Sequence, residues 1–284
     1  MQARSGEARQ PELTALRAAE AAAKRARSKA QIRYRFVQRQ AVDDAIPPLA
    51  HMIRGGRGGQ VRLKLFLSML WMQTDDTGVP LPYPSRVWAV LLGLEDPAGK
   101  GARRVAEALA WLERNGYVTV AARPGHANVV TVLHDSGNGE PYAAPGFAAN
   151  RERARTGRAT EHRYVQLPLT FWTKGHLSVL SGAAVAMLLA LLCERGAGEA
   201  DKALWFSPGD AERRFALSED TRGKGLKELA EAGLVQTRRR PINPTEFDAL
   251  RVRNVHELRL ERLSEVARIS RVRPNADFAD LMGG

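Results

Sequence analysis

Apolar residues in VRLKLFLSMLWMQ (61–73) fall at helical spacing, and PSRVWAVLLGL (84–94) predicts a second, shorter helix opened by Pro-Ser. After the loop EDPAGKG, the run ARRVAEALAWLERNG (102–116) places Val105, Leu109 and Leu112 on one helical face and stops at Gly116. YVTVAARPGHANVVTVL (117–133) reads as two β-rich runs turned at Pro124 and Gly125. The predicted order is helix, helix, helix, hairpin.

That order recurs in the second half of the chain. LSGAAVAMLLALLCERG (180–196) predicts a buried helix, and SPGDAERRFA (207–216) a second one with Ser207 as N-cap and Pro208 in the first position. SEDTRGKGLKELAEAG (218–233) is the third, capped by Ser218, striped by Leu226 and Leu229, and ended by Gly233. Residues 234–260 are the hairpin, with a longer and more basic tip. LAWLERNGYV (109–118) aligns with LKELAEAGLV (226–235), so the two Gly-Lys-Gly triplets differ in place. Gly99-Lys100-Gly101 is a turn before one third helix, and Gly223-Lys224-Gly225 lies inside the other. The expected fold class is mainly α with β-hairpin wings, α+β, in two units at 34–135 and 164–262. A basic helical arm (1–33) precedes them, a Gly-, Pro- and Arg-rich linker (136–163) joins them, and a tail (263–284) follows.

Charge sharpens this picture. The 284 residues carry a formal net charge of +12, and the first 40 hold ten Lys or Arg against three Glu, which points to a polyanionic partner. The longest apolar run, 183–193, is too short to span a membrane, and the start of the sequence has no apolar signal region. A lone cysteine, Cys193, excludes an intramolecular disulfide; it reads as a core residue, and a reducing cytoplasm is the expected compartment.

Catalytic chemistry finds no foothold. A phosphate-binding P-loop needs Gly, four residues, Gly-Lys and then Ser or Thr; here Leu94 and Ser218 stand at the first position, and Gly101 and Gly225 replace the hydroxyl. The six histidines are scattered without metal-ligand spacing. No enzyme, no metal and no cofactor are expected. Trp71, Trp88 and Trp111 read as core residues rather than base-stacking ones.

The third helices and hairpins carry the candidate DNA contacts: Lys100, Arg103, Arg104 and Arg114, with Arg123, His126 and Asn128 at the first hairpin tip, and Thr221, Arg222, Lys224 and Lys227 in the second third helix. Arg238, Arg239 and Arg240 are placed at the second hairpin tip, where three adjacent like charges call for a phosphate or minor-groove partner. GARRVAEALAWLERNGYV and LSEDTRGKGLKELAEAGLV resemble winged helix-turn-helix units, and the tandem arrangement over about residues 34–262 resembles the replication initiators of plasmids and mobile elements. The resemblance implies double-stranded DNA as partner, both units in consecutive major grooves of repeated sites, a homodimeric form acting as repressor, and replication or partition proteins as further partners. It implies a cytoplasmic, nucleoid- or plasmid-associated bacterial protein. Two alternatives stay open: a transcriptional repressor or partition adaptor, and an interaction module in which one winged helix binds protein and the basic N-terminal helix is the docking arm.

Overall fold

The computed structural model describes residues 8–41, 44–54, 57–158, 161–196, 204–241 and 252–270. In chain order the elements are α1 (Leu13–Ala23), β1 (Lys29–Arg33), α2 (Tyr34–Val37), α3 (Pro48–Ile53), α4 (Arg57–Trp71), α5 (Ser85–Leu91) and α6 (Lys100–Arg114), followed by β2 (Val118–Ala121) and β3 (Val129–Val132). Then come α7 (Pro145–Thr156), β4 (Tyr164–Pro168), α8 (Thr170–Thr173), α9 (His176–Val179), α10 (Gly182–Arg195), α11 (Pro208–Phe215), α12 (Glu219–Glu231), β5 (Val235–Pro241), β6 (Val252–Leu258) and a 3-10 helix, Leu260–Ser264. The fold is a mixture of helices with three two-stranded antiparallel sheets among the described residues, which fits the α+β class.

Two helices buried along most of their length form the centre. In α10 every residue from Ala184 to Cys193 is buried, and in α4 the run Leu63–Trp71 is buried. The two pack on each other, and one continuous core takes in residues of both halves. Ser181 caps α10 by accepting from the Ala184 amide at 3.2 Å. Cys193 lies in this core, and burial pushes its thiol pKa far up, as befits an inert packing residue. Trp71 and Trp88 are core residues too, Trp71 stacking on Trp172 at 4.5 Å.

Around each central helix the same sequence of elements is laid. In the first half, Leu81 ahead of α5 forms a β-bridge to Val130 of β3; in the second, Leu204 ahead of α11 forms one to His256 of β6. The third helices end alike. Gly116 (φ 73°) and Gly233 (φ 71°) take the left-handed turn that glycine alone makes cheaply. The next amides, of Tyr117 and Leu234, return to Leu112 O and Leu229 O, each at 2.9 Å.

Three expectations need correction. The stretch expected to be a linker is folded: α7 fills 145–156, Tyr142 and Ala144 are buried, and the residue just ahead of it, Asp135, forms an ion pair with Arg33 in which both side chains are fully buried. The N-terminal segment is no free arm. Helix α1 buries Ala15 and Ala19 against its neighbours α5 and α8, and β1 pairs with β4 in the register Lys29↔Pro168 to Arg33↔Tyr164. Strand pairing across that separation leaves no local signal, so a boundary at 33/34 cuts between elements the fold joins. The start of the expected tail (263–284) is folded too: after Leu260 the chain makes one 3-10 turn and ends its described part in a bridge between Ile269 and Arg9, and 271–284 lie outside the described residues.

Lys64 joins the halves from inside the core. Its ammonium, 1% exposed as a residue, donates to Ser178 O at 3.2 Å. Burial pushes its pKa down to about 7 from 10.5, with Glu228 opposing and Arg9 and Arg104 assisting the fall. Between those two values the unfolded chain holds a proton that the folded chain has released, so stability rises with pH across that window and is lost as pH falls towards 7. Lys64→Met is expected to flatten the rise in unfolding free energy between about pH 7.5 and about pH 9.5, measured by urea denaturation. An equal rise in wild type and variant would contradict the burial of this charge.

Candidate nucleic-acid interface

Helix α6 presents two faces. Val105, Ala108, Leu109 and Leu112 are buried, while Lys100, Arg103, Glu107, Ala110 and Arg114 are exposed and recur at i, i+3, i+7, i+10 and i+14 along its outer side. Its first turn is already satisfied: the Asp96 carboxylate accepts from the amides of Gly99 at 3.2 Å and Lys100 at 2.9 Å. The Gly99 triplet is therefore an internally capped helix start, with Lys100 as the first helical residue and no vacant amide cradle. Arg104 is half-buried and within electrostatic reach of Lys64, so it stands at the inner flank rather than the outer stripe.

Helix α12 begins at Glu219 under the Ser218 hydroxyl, which accepts from the Thr221 amide at 3.3 Å and shares a hydrogen bond with the Thr221 hydroxyl at 2.9 Å. Thr221 and Arg222 are half-buried; Lys224 and Lys227 are exposed, and Lys224 pairs with Asp220 at 2.8 Å, one turn back. Gly223 and Gly225 separate clearly here. A Cβ on Gly225 would sit 2.4 Å from Ala183 O and 2.6 Å from Met187 Cγ, so this glycine is what lets α12 lie against α10. Gly223 faces open space, with no heavy atom within 4 Å of such a Cβ.

These two glycines give opposite expectations. Gly225→Ala is expected to cost about 1–3 kcal/mol of stability, since the crowding is against backbone. Gly223→Ala is expected to add up to about 1 kcal/mol through helix propensity. Urea unfolding of both variants checks the pair, and a Gly225→Ala variant as stable as wild type would contradict the packing.

The hairpins differ in reach. Arg123, His126 and Asn128 are exposed at the end of the β2–β3 hairpin, where the His126 amide closes a turn on Arg123 O at 3.0 Å. Arg238, Arg239 and Arg240 do not form a tip: they lie within β5, opposite Val255, Asn254 and Arg253, because the ladder continues to Pro241↔Val252. Residues 242–251, which follow them, lie outside the described residues. Alternation puts Arg238 and Arg240 on one face, where both approach the Glu257 carboxylate, at 3.6 and 3.4 Å, and Arg239 on the other.

Sequence reasoning passed over two further groups. Arg253, across from Arg240, places its guanidinium 4.5 Å from the centre of the Trp205 ring, and Trp205 is 44% exposed. Arg62 of α4 covers half-buried Trp111 in the same way, at 4.5 Å, and lies close enough to Arg114 to feel its charge. These are contacts between elements distant in the chain, and nothing in the local pattern announces them. Among the described residues no group of His, Cys, Asp and Glu could hold a metal ion, and no helix is long and apolar enough to cross a membrane. Burial lowers the pKa values of His51, His134, His162, His176 and His256, and so favours their neutral forms.

No protein-family model matches the chain, and no curated protein or solved structure matches it.

Proposed function

We propose that the chain is a sequence-specific double-stranded DNA-binding protein built from two winged-helix units, acting as a replication initiator of a plasmid or mobile element. The observation that carries the reading is the repeat itself. Each half sets a central helix, a one-residue bridge, two further helices and an antiparallel hairpin in the same order, with the bridge joining the same hairpin strand. In a winged helix that third helix enters the major groove and the hairpin lies along the neighbouring backbone. The exposed cations of α6, α12 and the two hairpins support this reading. Arg103 is the strongest candidate for a base contact in the first unit, since it is exposed on the outer stripe; Arg104, Thr221 and Arg222 are held partly within the fold.

Two units inside one continuous core favour one fixed spacing between the grooves they reach, which suits repeated sites better than independently placed ones. Selection of bound sequences from a random duplex pool tests the reading. Direct repeats are expected of an initiator; a palindrome would favour a dimeric repressor, and the absence of any enriched motif would overturn sequence-specific binding.

A further inference from the structure

A recess of about 600 Å³ lies at the C-terminal end of α10, and no residue of either third helix lines it. Four cations converge on it from four separate places in the chain: Lys29 of β1, Arg153 of α7, Arg163 just ahead of β4, and Arg195 at the end of α10. None of the four forms an ion pair among the described residues, whereas Arg27, Arg33, Arg213, Arg214 and Lys224 each have a carboxylate. Arg153 donates to the Asn150 side chain, and Arg163 lies over the Tyr34 ring at 4.5 Å. No carboxylate lines the recess. Two acids next to these cations in the chain have other partners: Glu194 binds Arg214, and Glu152 accepts from the amides of Glu161 and His162. The floor is apolar, made by Val165, Leu192 and Leu260, with Tyr164 at its side.

A small recess that sets four cations without ion pairs beside apolar lining is suited to a flat ring joined to a group with several negative charges. Its size admits one such molecule and not a duplex, whose width far exceeds it. None of the cations assigned to DNA above lines it. Gly225 of α12 approaches α10 at Ala183 and Met187, and Arg195 lies eight residues further on, about 12 Å along the axis.

We propose that this recess binds a free nucleoside polyphosphate, with phosphates on Lys29, Arg153, Arg163 and Arg195 and the base on the apolar floor. The site uses no P-loop; it is assembled from side chains of β1, β4, α7 and α10. Because β1 and β4 are the strands that tie the N-terminal segment to the second half, an occupant here bridges elements from both halves of the chain.

Isothermal titration of the full chain with ATP, GTP, inorganic triphosphate and a short single-stranded oligonucleotide tests it. One molecule of ATP or GTP is expected to bind per chain, more tightly than inorganic triphosphate, which leaves the floor unused. Arg163→Gln and, separately, Lys29→Gln are each expected to weaken nucleotide binding about tenfold or more, the scale of a lost charged hydrogen bond. Unfolding midpoints and duplex affinity should stay at wild-type values, and Lys227→Gln on α12 should leave nucleotide binding unchanged. The proposal is overturned if neither nucleotide binds, if both rim variants bind as tightly as wild type, or if the oligonucleotide binds the rim in preference to free nucleotide.

Discussion

Asp135→Ala is expected to lower the unfolding free energy by about 3–5 kcal/mol, the scale of an ion left without its buried partner. The Arg33 guanidinium reaches Asp135 Oδ1 at 2.5 Å and Ala143 O at 2.6 Å, and the Arg33 amide donates to Asp135 Oδ2 at 3.2 Å, with both side chains fully buried. Removing the carboxylate strands a guanidinium in the core and frees a backbone amide at once. For a domain whose whole stability is about 5–15 kcal/mol, that is a large fraction. The pair pins the chain just ahead of the 136–163 segment to β1, so its loss should also loosen α7. An Arg33→Met, Asp135→Leu double variant is expected to recover most of the loss, because a buried pair replaced by apolar groups is often neutral. Urea denaturation of single and double variants decides it; a single-variant loss below about 1 kcal/mol would contradict burial of the pair.

The second large effect concerns DNA. Replacing Arg238, Arg239 and Arg240 together by Ala is expected to weaken duplex binding and to flatten its salt dependence. Each lost phosphate contact lowers the log–log slope by about 0.9, so three lower it by up to about 2.7. Since Arg238 and Arg240 share Glu257 at the edge of the sheet, releasing them costs the free protein little, for exposed pairs contribute under about 1 kcal/mol. The result therefore reads contact with phosphate rather than a damaged fold. Titrations of one duplex across a range of salt concentrations give the slope, and a slope equal to that of wild type would remove the second hairpin from the interface.

What the sequence made legible was whatever has a local cause. Ser207 and Ser218 cap helices where their side chains can accept an amide, and Gly116 and Gly233 stop helices where the backbone must turn left-handed. The periodic stripes of 61–73, 102–116 and 180–196 place the helices they predict within a few residues. What stayed hidden depends on distant partners. Arg33 reads as one more charge in a basic arm until Asp135 is seen beside it. Gly225 reads as a weak point in a helix, and only the Ala183 carbonyl explains it. Helix α7 buries little more than Pro145, Ala148 and Ala149, too weak a stripe to mark PGFAANRERART as helical, and the length of the second hairpin is set by its partner strand. In the candidate interface, the outer position of Arg103 followed from periodicity, while the inward placement of Arg104 depends on α4 and Lys64.

The central claim, two reading heads held by one core, is tested most directly by hydroxyl-radical footprinting of the full chain on a duplex recovered from the random pool. Two protected windows are expected on one face of the duplex, about one helical turn or 10–10.5 base pairs apart, one for each third helix and its hairpin. Lys227→Ala together with Lys224→Ala should weaken protection in one window, and Arg103→Ala in the other. A single window, or two that fade together with every variant, would contradict the account.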